Sequence, residues 1–135
     1  MITYAETYVD FAGNKRTEEF HFHYNQAELM EMELETEGGF SARVNRIINA
    51  NNHPELYRLM KQFILGAYGI KSEDGRRFMK SDEIRRSFEE SPVYEMLMIR
   101  MTVGPNAADE AAKFINGITP DGMPKPDFAS LPAAT

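Results

Sequence analysis

A chain of 135 residues, 42% of them hydrophobic, is long enough to bury one core and too apolar for global disorder. The absence of cysteine excludes disulfides, thiol nucleophiles and cysteine-ligated metals, and a net charge of −6 argues against general nucleic-acid binding, which depends on neutralising phosphates. No apolar run approaches the roughly 18 residues of a spanning helix, and tyrosines and an acid stand where a signal peptide has a basic and then an apolar run, so the reading is a soluble protein that neither enters a membrane nor is secreted.

Charge is unevenly placed. Residues 1–40 hold nine acids and two bases, residues 41–86 ten bases and five acids, and residues 87–135 seven acids and three bases. The default reading pairs acidic and basic faces within the fold or between subunits. The basic middle keeps a nucleic-acid-associated role open as a lesser alternative.

Ile2 to Phe11 alternates loosely, and Ala12-Gly13-Asn14-Lys15 breaks the run. Thr17 to Tyr24 alternates cleanly, with Phe20, Phe22 and Tyr24 on one face and His21 and His23 on the other. Two such runs around a Gly-Asn turn predict a β-hairpin. Its aromatic face needs cover, because an isolated hairpin is marginal in water.

Asn25 and Glu28 have capping-box spacing ahead of a short acidic helix that runs to about Glu37, with Leu29, Met30 and Leu34 as its apolar stripe. Gly38-Gly39 ends it. Ser41 is the expected cap of a second helix carrying Val44, Ile47 and Ile48, which fades at Asn51-Asn52. From Pro54 to Tyr68 the residues Leu56, Leu59, Met60, Phe63, Ile64, Ala67 and Tyr68 recur at three- and four-residue steps. This is the strongest helical period in the chain and predicts a central helix that buries Leu59, Phe63 and Ile64.

Gly69 is expected to close that helix in the left-handed conformation. Ser72-Glu73-Asp74-Gly75 is turn chemistry, and Arg76 to Lys80 reads as extended. Ser81 caps a fourth helix with Ile84 and Phe88 inward, and Ser91-Pro92 opens a fifth with Tyr94, Leu97, Met98 and Met101 inward. Gly104-Pro105 stops it. Asn106 caps an alanine-rich sixth helix, which Gly117 closes. Asp121 to Thr135, with three of its residues proline after Pro120, reads as a flexible tail. The expected organisation is therefore a single globular domain over residues 1–120, with a hairpin at 1–24 and a helical bundle at 25–120, followed by the tail at 121–135. The fold class is mainly α: an N-terminal β-hairpin packed on a compact bundle of five or six short helices.

Little in the chain suggests catalysis. His21-x-His23 could begin a metal site but lacks a third ligand in local context, and the reading is two structural histidines and no metal. Ser72, Ser81 and Ser91 have no neighbouring base and sit where turns and caps belong. No phosphate-cradling or calcium loop is present, so neither catalytic residues nor a cofactor are expected. Arg76, Arg77, Lys80, Arg85 and Arg86 crowd into eleven residues. A solvated basic face is the default, and docking on an acidic partner is the alternative. Nine methionines are either flexible core filler or an adaptable binding surface.

Tyr68-Gly69, Ser72 to Gly75, Arg77-Phe78-Met79-Lys80-Ser81, Phe88, Tyr94 and the segment Ala111 to Ile118 resemble the pattern of the tail assembly chaperones of tailed phages and prophages. The resemblance runs from about Phe11 to Pro120. It implies a non-enzymatic helper, in the cytoplasm of the infected or lysogenic bacterium, that binds tail-tube or tape-measure subunits during tail assembly. Homo-oligomerisation stays open, and neither nucleic acid nor membrane is an expected partner. A structural virion protein of the tail or connector is the alternative. Two partner surfaces are candidates: the edge of the aromatic hairpin, and, preferred here, the Met98/Met101 face of the fifth helix beside the basic residues Arg76, Arg77, Lys80, Arg85 and Arg86.

Overall fold

The alternating N-terminal runs form strands β1 (Ile2–Val9) and β2 (Lys15–Phe22), paired antiparallel from Ile2↔Phe22 to Val9↔Lys15. The computed structural model describes residues 1–50 and 53–118. The remaining elements are α1 (Gln26–Glu35), α2 (Phe40–Asn49), α3 (His53–Ala67), β3 (Tyr68–Lys71), β4 (Phe78–Met79), α4 (Asp82–Glu89), α5 (Pro92–Thr102) and α6 (Ala107–Ile118). The expected hairpin on a helical bundle is present, enlarged into a four-stranded antiparallel sheet in the order β1-β2-β3-β4. The fading of α2 at Asn51-Asn52 and the tail from Asp121 lie outside the described residues, as do the side chains of Ser41 and Ile48. Among the described residues no helix is long and apolar enough to cross a membrane.

The aromatic face of the hairpin finds its cover in the helices. Phe22 is fully buried and meets Phe88 of α4, Phe114 of α6 and Tyr68 of β3 edge-on, at ring separations of 5.6, 5.3 and 5.7 Å. Tyr68 stacks on Phe88 at 4.2 Å. The central helix buries Leu59, Phe63 and Ile64 as its period requires, and Met60, Leu65 and Ala67 with them.

Gly69 does not end α3 in a left-handed conformation. Among the described residues the glycines with positive φ are Gly13, Gly38, Gly39 and Gly75. The helix passes directly into β3, where Gly69 pairs with His21 across the sheet. The Ala67 carbonyl is taken by the His23 N–H at 2.8 Å, so a strand supplies the partner that a glycine cap would have supplied. Gly69 is small for a different reason. A Cβ there would lie 2.5 Å from a ring carbon of Phe78 and 2.9 Å from the Met79 carbonyl oxygen.

Three helix details also differ from the sequence reading. In α1, Met30 and Leu34 are exposed while Leu29 and Met32 face the core. The capping box sets the start of that helix, and Lys80 holds Glu28 inward, which rotates Met30 and Leu34 outward. Helix α2 starts at Phe40, because the Gly39 carbonyl accepts from the Arg43 N–H and Phe40 packs on Phe63, so Ser41 lies inside the helix. Gly117 lies inside α6, where its missing side chain leaves room for Ile2 of β1.

Two expected outcomes follow from this packing. Gly69→Ala forces a shift of Phe78 or of the β4 backbone and should destabilise by about 1–3 kcal/mol in denaturant melts; a neutral result would show that β3 and β4 are free to separate. Stability should also fall as pH drops below about 6.5. Burial pushes the His21 and His23 imidazoles below their ordinary value, and the Nδ1 atom of His23 is buried without a hydrogen-bond partner. The unfolded chain therefore takes up protons first as pH falls, so the contribution is present above the unfolded pKa and lost as pH falls through the folded one. Melts between pH 7.5 and 5 should show this slope, and His21→Gln/His23→Gln should flatten it.

Candidate partner-binding surface

The turn at residues 72–77 is built by its own polar side chains. The Asp74 carboxylate accepts from the Arg76 N–H at 3.0 Å and from the Ser72 hydroxyl at 2.7 Å, while the Ser72 oxygen accepts from the Arg77 N–H at 3.0 Å. The Arg76 N–H and then the Ser72 hydroxyl lower the pKa of the Asp74 carboxyl. Gly75 takes the left-handed φ of +74° that closes the turn. Ser72 is thus structural, as is Ser81, whose Oγ accepts from the Ile84 N–H at 3.1 Å.

The structure divides the five basic residues of this stretch. Arg76 and Arg77 are exposed at the end of the turn, and Arg86 is exposed on α4 beside Asp82, Glu83, Ser87 and Glu90. Lys80 turns inward. Its Nζ is 2.7 Å from Glu28 Oε2 and 4.5 Å from the Tyr24 ring centroid. Burial lowers the pKa of this ammonium, with Glu28 opposing, so desolvation outweighs the ion pair. Glu28 serves twice, because its Oε1 accepts from the Asn25 N–H in the capping box. Arg85 is half turned in: its Nε donates to the Leu65 carbonyl at 3.3 Å, and a terminal nitrogen lies 3.1 Å from Asp82.

Met98 and Met101 are each only 3% exposed and pack in the core. The preferred sequence surface, a methionine face on α5 beside the basic segment, is therefore not a surface. Along α5, Glu95 and Ile99 are exposed, and Val103, just beyond its end, is 71% exposed. The inward reading of Met98 and Met101 from the helical period holds, and their second reading as a partner surface does not, since both pack in the core.

The hairpin has two kinds of residue on its helix-facing side. Tyr4, Phe20 and Phe22 are buried apolar groups, and Glu6 is a buried acid. Arg100 of α5 grips Glu6 with both terminal nitrogens, the longer bond being 3.1 Å, and the carboxylate raises the guanidinium pKa further. No periodicity connects Glu6 with Arg100, so this fastening of hairpin to helix was invisible in the sequence. The turn end of the hairpin carries Val9 and Phe11, the latter 87% exposed.

A family model described as phage tail assembly chaperone matches residues 1–128. No curated protein and no solved structure matches the chain. The match takes in the hairpin, the sheet and all six helices described above. The chain belongs to the phage tail assembly chaperone family and, with it, to a class of non-enzymatic helpers.

Proposed function

We propose that the protein binds tail-tube or tape-measure subunits in the cytoplasm of the host bacterium and keeps them from premature polymerisation. The observation that carries this reading is the family match over residues 1–128. Such a helper needs contacts strong enough to cover an assembly surface and weak enough to release it. The exposed arginines suit the first encounter. Arg76, Arg77 and Arg86 take part in no ion pair among the described residues, so they meet an acidic patch on the client without first breaking a bond. Exposed charges of this kind act on association rate and register more than on affinity. Lys80 and Arg85, held by Glu28, Leu65 and Asp82, contribute less.

Co-expression with the tail-tube or tape-measure protein should raise the soluble yield of that protein. The triple neutralisation Arg76→Gln/Arg77→Gln/Arg86→Gln should slow association and remove its salt dependence, while shifting stability by no more than about 1 kcal/mol. Stoichiometric recovery of the protein in finished virions, or failure to bind either subunit, would replace this reading with that of a structural tail protein.

A further inference from the structure

In an antiparallel pair, residues that exchange both backbone hydrogen bonds alternate with residues that exchange none. The Asp10 N–H donates to the Asn14 carbonyl at 2.9 Å, and this pair continues the register that ends at Val9↔Lys15. The bonding positions of β1 are therefore the even ones: Ile2, Tyr4, Glu6 and Tyr8. On β2 the odd positions bond the other way, toward β3, as the His23 N–H to Ala67 carbonyl bond shows one step beyond His21↔Gly69. Thr3, Ala5, Thr7 and Val9 thus turn their N–H and C=O groups away from β2. Among the described residues no strand lies on that side. All four are exposed.

The hairpin has a second open edge, and the contrast between the two is informative. Strand β3 reaches only His21 and Phe22, so Lys15, Thr17 and Glu19 of β2 also point to open solvent. That edge carries a base and an acid among its three outward residues, the usual guard against strand addition. The β1 edge has no charge among its four, no proline and no break in its eight-residue register. An inward-pointing charge can also protect an edge, but Glu6 is already neutralised by Arg100.

The charge nearby bears on what docks. Glu110 of α6 acts electrostatically on both Tyr4 and Arg100, so two acids and one base stand behind the strand. A second copy paired edge to edge about a two-fold axis would bring this surplus of negative charge against itself, in a chain of net charge −6. A foreign strand that is uncharged on one row, with a lysine or arginine toward Glu110, meets no such repulsion.

We propose that the outer edge of β1 accepts an extended, uncharged-to-basic segment of the client subunit as a fifth strand of the sheet. This rests on the chaperone reading above and places the client's strand at the end of the sheet opposite β4, which follows the exposed arginines Arg76 and Arg77. Main-chain hydrogen bonds supply the affinity, and the threonine, alanine and valine side chains set the register.

The test measures binding of purified tail-tube and tape-measure subunits to the full chain by calorimetry, with hydrogen exchange of the peptide covering residues 2–9. Ala5→Pro removes one outward N–H and should weaken binding about tenfold or more. Thr7→Lys, which leaves the backbone intact, should weaken it in the same direction. Thr17→Pro, at the guarded edge, should leave it unchanged, and all three variants should keep the wild-type circular dichroism spectrum. Exchange at residues 2–9 should slow in the complex. If neither subunit binds the wild-type chain, the chaperone reading itself is wrong and the edge proposal goes with it. If a subunit binds the wild type, Ala5→Pro and Thr7→Lys alike, the reading stands and the edge proposal is overturned. A wild-type dimer that Ala5→Pro dissolves would overturn it too, by showing that a second copy occupies the edge.

Discussion

Phe22 is the point at which the parts of this molecule meet. Its ring is fully buried and touches aromatic rings from β1, β3, α4 and α6, with Tyr4 at 5.9 Å completing the set named above. A side chain that packs four elements at once couples their positions, because a close-packed interior transmits any misfit to its neighbours. The hairpin, marginal alone, becomes a fixed part of the fold through this contact. The strand that follows α3 adds to β2 beside it, so Tyr68 arrives already placed to stack on Phe88.

Two ion pairs finish what the aromatic cluster begins. Glu6–Arg100 ties β1 to α5, and Glu28–Lys80 ties α1 to the segment after β4. Both are partly buried, and each carboxylate in them accepts more than one hydrogen bond, which offsets the cost of removing charge from water. Their functional consequence is subtraction. They take Lys80 out of the basic cluster and cancel the charge that would otherwise protect the β1 edge. What remains available to a partner is a small group of arginines near one end of the sheet and a bare strand edge at the other.

Much of the fold was legible in the residues. The Asn25/Glu28 capping box, the Ser81 cap, the Pro92 start, the Gly75 turn and the core face of α3 all follow from chemistry within a few positions, and each is found as read. The failures share a cause. Gly69 was read from its place after a helix, but its neighbours in space are Phe78, Met79 and His21. Met98 and Met101 were read both as inward residues of α5 and, for the adaptability of methionine, as a partner surface, and packing across the fold leaves only the inward reading. The candidate partner surface was only half legible, because contacts between residues far apart in the chain decide it. The arginines could be counted, but which of them are spent could not.

The sequence by itself determined the class of the fold, the position of nearly every element and the family pattern, because periodicity, caps and turns are properties of near neighbours along the chain. Tertiary structure alone decided which charges are available and which strand edge is open. Glu28 and Lys80 are 52 residues apart, and Glu6 and Arg100 are 94 apart. No local pattern links such pairs. They meet because the aromatic core brings their elements together, and only there does burial make a charge seek its partner.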